Sequence, residues 1–178
     1  MAEHFEVAEL VKVAVEDEKS GVAYYSYLAG KAKDPGLRST FGGLAQQERH
    51  HLARFEKLLA GLGGYSPREG YPGEYMAYLR AMTDGRAFPD VHAAQQAAQG
   101  VADDLSAVQT ALRFERDTLV LMNELREFVP PRDRKTVEEL INEERSHVVV
   151  LTAAKERLTW RETRLMAAGA GTSAPTCL

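Results

Sequence analysis

Six side chains in this sequence have the types and spacing of a metal-ligand set. Glu48 and His51 lie three residues apart, and so do Glu144 and His147. Glu18 and Glu115 precede these pairs by 30 and 29 residues. Residues three apart on a helix share a face, so each Glu-x-x-His offers a carboxylate and an imidazole in one direction. The two sets also form an internal repeat. A shift of 96 residues carries Leu44, Glu48, Arg49 and His51 onto Leu140, Glu144, Arg145 and His147. A shift of 97 carries Ala14, Glu18 and Leu28 onto Ala111, Glu115 and Leu125.

The apolar pattern predicts where these residues point. Glu18 interrupts a stripe of Val7, Val11, Ala14, Gly21, Tyr25 and Leu28. Glu48 and His51 interrupt one of Leu37, Phe41, Leu44, Phe55, Leu58 and Leu62. Glu115 falls among Val108, Ala111, Thr118, Met122, Leu125 and Val129, and Glu144 and His147 among Val137, Leu140, Leu151, Ala154 and Leu158. Alternating steps of three and four are the core-facing stripe of a bundle helix. Four carboxylates at one level of a core need compensating charge, and the stripes hold no Lys or Arg. Two divalent cations balance four carboxylates. Hard oxygen donors with one imidazole per metal suit iron or manganese, though zinc can occupy such a site. A single Glu-x-x-His is ordinarily a helix-surface pair. It is the joint pattern that matches a dinuclear carboxylate centre in a four-helix bundle.

The elements that must position these residues are helices. Long segments rich in Ala, Leu, Glu, Gln and Arg lie between clustered prolines, and β-branched alternation is almost absent. Four long helices are expected: from about Glu3 to Lys31, from Ser39 as N-cap to Leu62-Gly63-Gly64, from Asp103 or Asp104 to before Pro130-Pro131, and from about Asp133 past Trp160. Short links make two antiparallel hairpins. The 63–102 connection crosses the bundle and carries one or two short helices, at Glu74 to Met82 and Val91 to Gln99. The expected fold is all-α, an antiparallel four-helix bundle over residues 1–166, with a disordered tail at 167–178.

The strings EDEKSGVAYYSYLA, FGGLAQQERHHLARF, ALRFERDTLVLMNEL and LINEERSHVVVL, spread over residues 5–160, resemble the ferritin-like di-iron superfamily and, within it, the rubrerythrins. The resemblance implies two iron ions, with Glu18 and Glu115 as terminal or bridging ligands. Glu48 and Glu144 would bridge or shift, and His51 and His147 would take one metal each. It implies a di-iron oxidoreductase that oxidises Fe(II) with peroxide or dioxygen, in peroxide scavenging under oxidative stress or in iron handling. Classical rubrerythrins carry Glu-x-x-Glu in the third helix, where this chain has Glu115 and Thr118. That extra glutamate is tied to redox-dependent iron movement, so its absence weighs against peroxidase behaviour. They also often carry a rubredoxin domain with a Cys₄ iron. The lone Cys177 cannot form one, so a separate electron donor such as a rubredoxin-like protein is expected. Alternatives are an iron-storage cage subunit with a ferroxidase centre, manganese catalase-like or hydroxylase use of the same ligands, and a metal-stapled structural bundle.

Other residues allow plainer readings. Tyr25, two turns after Glu18, is either an aromatic core residue or a hydrogen-bond donor, proton source or redox-active phenol beside the metals. Gly21 and Thr118 either leave room for an oxidant or allow close packing. His50 is expected on the surface, and His4 and His92 have no ligand-spaced partner. Tyr65, Tyr71, Tyr75 and Tyr78 are expected to pin the crossover, and Glu138, Glu139 and Glu143 to form a solvated face. A net charge of −4 argues against a nucleic-acid partner, and no apolar run approaches a membrane span of about 18 residues. An acidic N-terminus without a signal pattern and a single cysteine fit the cytoplasm, with a homodimer as the expected assembly.

Overall fold

The computed structural model describes residues 7–63, 77–78, 81 and 83–170. Among these residues there are five helices and no strand: α1 Val7–Lys31, α2 Pro35–Leu62, α3 Val91–Gly100, α4 Asp104–Phe128 and α5 Pro131–Ala170. α1 and α2 form one antiparallel hairpin, α4 and α5 the other. α1 also packs against α3 and α4, and α2 meets α5.

Two helix starts lie earlier than expected, for one reason. α2 is capped by Asp34, whose carboxylate accepts from Leu37 N at 2.8 Å, with Pro35 opening the helix; Ser39 lies inside it. Pro131 likewise opens α5, ahead of Asp133. Proline lacks the N–H that a first turn leaves unpaired, and its fixed φ suits that position. α4 starts where expected, with a reciprocal cap between Asp103 and Ser106. α5 continues past Met166 to Ala170. Residues 171–178, with Cys177, lie outside the described residues, as do residues 1–6 and most of the expected helix at Glu74 to Met82. Of the four crossover tyrosines only Tyr78 is described, and it is exposed.

Two contacts fix the far end of the crossover. The Asp104 carboxylate accepts from Lys33 N at 2.9 Å and Asp34 N at 2.7 Å, so α4 begins beside the α1–α2 turn. α2 ends at the opposite end of the bundle, so the chain between them must climb roughly 40 Å, the length of a 28-residue helix. Asp34 also binds Arg157 and Arg161, tying the distal part of α5 to the same turn.

Every residue of the four expected stripes is buried. The apolar ones form two clusters. One gathers Tyr24, Tyr25, Leu28, Phe41, Phe88 and Phe114 with their neighbours. The other gathers Val11, Phe55, Met122, Leu125 and Leu140 with theirs. The Glu and His residues lie between the two.

Gly21 allows close packing and leaves no spare room. A Cβ there would stand 3.0 Å from Phe114 Cε1 and 3.1 Å from Glu48 Cγ. Gly43, mid-helix and exposed, has open space at the same position. Gly21→Ala should therefore destabilise the chain by about 1–3 kcal/mol through overpacking, and Gly43→Ala should stabilise it by about 0.5–1 kcal/mol through helix propensity. Urea unfolding of the two variants checks the opposite signs.

Candidate metal centre

Each hairpin delivers one half of a buried polar cluster. α1 places Glu18 and α2 places Glu48 and His51; α4 places Glu115 and α5 places Glu144 and His147. All six side chains are 1% exposed or less, so they have left water entirely. All six sequence-predicted ligands are thus brought together.

They form two groups of four that share two members. Glu18, Glu48, His51 and Glu144 each offer a ligand atom within 4.8 Å of the others, and so do Glu48, Glu115, Glu144 and His147. Both histidines turn Nδ1 inward. His51 Nδ1 lies 2.5 Å from Glu144 Oε1, 3.7 Å from Glu18 Oε2 and 3.8 Å from Glu48 Oε2. His147 Nδ1 lies 2.9 Å from Glu144 Oε2, 3.2 Å from Glu48 Oε1 and 3.4 Å from Glu115 Oε2. The rings stack with centroids 5.3 Å apart.

The electrostatics are those of a cluster short of positive charge. Burial, then repulsion from Glu48, pushes the Glu18 carboxyl well above the usual carboxylate range. Burial, then repulsion from Glu144 and Glu48, does the same to Glu115. Glu144 is held low: burial opposes its charge, but the close approach of the His147 and His51 imidazoles outweighs it. Both histidines are held above their ordinary value, because the glutamates around them outweigh burial. Two imidazoliums still cannot balance four carboxylates. Both oxygens of Glu18 and of Glu144, Glu48 Oε1, Glu115 Oε2 and both Nδ1 atoms make no aligned hydrogen bond among the described residues. Once their protons leave, these buried and convergent atoms are a donor set for cations. The residues fit a dinuclear metal site, with Glu48 and Glu144 common to both positions.

The surroundings complete the site. Tyr25 is both a core aromatic and a neighbour of the cluster. Its ring packs in the core at 5.9 Å from Phe41, and its hydroxyl donates a short hydrogen bond to Glu115 Oε1. Thr118 is buried with Oγ1 unpaired among the described residues. His50 is exposed, as expected, and His92 pairs with Gln96 at 2.9 Å. His4 lies outside the described residues.

Two residues escape the sequence reading. Glu143 belongs to the site's surroundings and not simply to a solvated face: its Oε2 lies 3.0 Å from His51 Nε2, while Oε1 accepts from Arg54 at 2.7 Å. Asp17 is buried and paired with Arg86 of the crossover, yet burial still pushes its carboxyl up to about 7. The antiparallel register of α2 and α5 was the only signal for Glu143. Asp17 had none, since its partner is 69 residues away.

Comparison with known proteins agrees with this geometry. The rubrerythrin family model matches residues 9–155. The crystal structure of a protein described as ferritin-like and diiron-carboxylate, from Thermotoga maritima, is similar over 88% of this chain and 98% of its own. The two are 25% identical, with a TM-score of 0.59. No curated protein matches the chain.

The titration pattern sets how the metal-free protein responds to pH. Glu18, Glu115 and Asp17 lose their protons at higher pH folded than unfolded, and His147 keeps its proton longer when folded. In all four cases the folded state holds more protons across the neutral range, so stability falls as pH rises. The melting temperature of metal-free protein should drop steadily from about pH 5.5 to about pH 8.5. Replacing Glu18 and Glu115 together by Gln should flatten that slope; calorimetry across the range measures it.

Proposed function

The chain belongs to the rubrerythrin family, and from that premise we propose that it is a di-iron oxidoreductase, oxidising Fe(II) with peroxide or dioxygen. One observation carries the reading. Glu48 and Glu144 are shared between two donor groups, each completed by one histidine and one further glutamate. Carboxylate-rich donors with one imidazole per metal suit iron, and manganese or zinc would satisfy the same atoms. When bound, the iron pair supplies Lewis acidity and two electrons, so that 2 Fe(II) + H₂O₂ + 2 H⁺ gives 2 Fe(III) + 2 H₂O.

The protein's own part is to hold, orient and exclude. Glu18 and His51 serve one position, Glu115 and His147 the other, and Glu48 and Glu144 hold both together. The apolar clusters on either side of this layer keep bulk water out. Tyr25 keeps a proton on its hydroxyl, because burial and the neighbouring Glu115 oppose its loss. Its place against Glu115 Oε1 puts a phenolic proton donor beside the cluster. The 178 residues contain one cysteine, so electrons return from a donor outside them, a rubredoxin-like protein or a small reductant.

Thr118 favours a second reading on the same site. It is a buried hydroxyl in the third long helix, where classical rubrerythrins have a glutamate. A site without that mobile carboxylate is suited to dioxygen, and the activity then becomes ferroxidase chemistry.

Anaerobic titration should load two ferrous ions per chain, and chelation should lower the melting temperature by more at about pH 8 than at about pH 6, since metal binding competes with protons for the carboxylates. Glu144→Ala should reduce occupancy of both positions, whereas His50→Ala, on the exposed face, should change neither. Persistent binding of less than one equivalent would contradict the dinuclear reading.

Stopped-flow mixing of ferrous-loaded protein with each oxidant separates the two activities. Peroxide should oxidise the iron faster than dioxygen, and the reaction should stop after one turnover without added reductant. Oxidation by dioxygen at an equal or greater rate replaces the peroxidase reading by the ferroxidase one. Iron that neither oxidant touches leaves a structural metal site.

A further inference from the structure

The internal repeat is broken where it matters for the metals. The shift of 96 that maps His51 onto His147 also maps Gly43 onto Glu139, Gln47 onto Glu143 and Arg54 onto Val150. The second-repeat acids and the first-repeat arginine meet in one charged clasp outside His51. Arg54 donates to Glu143 Oε1 at 2.7 Å and to Glu139 Oε2 at 2.8 Å, and Glu143 Oε2 stands 3.0 Å from His51 Nε2. The repeat's counterparts of Glu139, Glu143 and Arg54 are Gly43, Gln47 and Val150, which offer no carboxylate or guanidinium and are all exposed. His147 Nε2 is buried without a hydrogen-bond partner among the described residues.

We propose that this asymmetry makes the two metal positions unequal. The one served by His51 and Glu18 binds tightly, and the one served by His147 and Glu115 binds loosely and exchanges. The inference rests on the dinuclear reading above. A carboxylate can only accept, so Glu143 requires the proton of His51 on Nε2 and leaves the Nδ1 lone pair free for a cation. It also makes that imidazole more basic and fixes the ring plane, and partners of this kind raise metal affinity by about 10–100-fold. Arg54 holds Glu143 in place across the α2–α5 interface. His147 Nε2 receives no such help among the described residues. Glu143 is therefore a positioning residue acting through His51.

The test is titration of the metal-free, full-length chain with Co(II) alone, under argon, followed by calorimetry and visible absorption. Wild type should take two equivalents in two steps at least about 10-fold apart. Glu143→Gln should weaken the tight step by about 10–100-fold and alter its absorption band, leaving the loose step in place. Gln47→Glu should strengthen the loose step. His147→Ala should keep the tight step and His51→Ala should lose it, which assigns the positions. Melting curves of each metal-free variant separate lost affinity from lost fold. Two equal steps in wild type overturn the proposal while the dinuclear reading stands. So does a Glu143→Gln variant that weakens both steps alike, or neither. Fewer than one equivalent in wild type overturns the dinuclear reading itself.

Discussion

Four carboxylates and two imidazoles share one buried layer, and the rest of the molecule is arranged around the cost of keeping them there. Each ionised group removed from water without a partner costs several kcal/mol, and the layer has only two groups able to carry positive charge. The metal-free cluster answers by holding protons on Glu18 and Glu115 while Glu144 shares the positive charge of both histidines. The same atoms fit a cation-binding site, because they have no aligned hydrogen-bond partner among the described residues. The folded state accepts a local penalty in return for a preformed donor set.

That penalty is tolerable because the apolar clusters above and below the layer bury most of the large side chains. The layer is also held from outside. The crossover presses Phe88 against Tyr24 and Phe114, with ring centroids 4.9 and 5.0 Å away, and is pinned by Arg86 on buried Asp17 and by Ala87 N on Asp117 at 2.7 Å. A segment of chain that is not part of either hairpin thus closes the bundle next to the metal centre. Gly21 lets α1 approach Glu48 closely, and Tyr25 fixes one oxygen of Glu115. Ligand positions are therefore set by packing on several sides.

The repeat explains both the likeness and the difference between the two halves. The six residues of the buried cluster obey the twofold relation, three from each hairpin. Residues just outside them do not: a charged clasp reaches His51, and the repeat's counterparts of that clasp are Gly43, Gln47 and Val150. The two donor groups share Glu48 and Glu144, so a difference between them comes from such neighbours, among them Tyr25, which donates to Glu115.

Much of this was legible in the residues themselves. Helical periodicity placed all four stripes, and the interruption of each by glutamate identified Glu18, Glu48, His51, Glu115, Glu144 and His147 before any coordinates, because a buried charge violates the pattern of its surroundings. Helix starts were less legible at Asp34-Pro35 and Pro130-Pro131, where a turn signal and a first-turn proline look the same in sequence. Two of the cluster's neighbouring contacts were not legible in local sequence. Asp17 with Arg86, and His51 with Glu143, are contacts between residues 69 and 92 apart, made by the path of the crossover and by the register of α2 against α5. Local sequence determines which face of a helix is apolar and which residues interrupt it. Only the packing of one helix on another decides which side chain meets an interruption from across the gap.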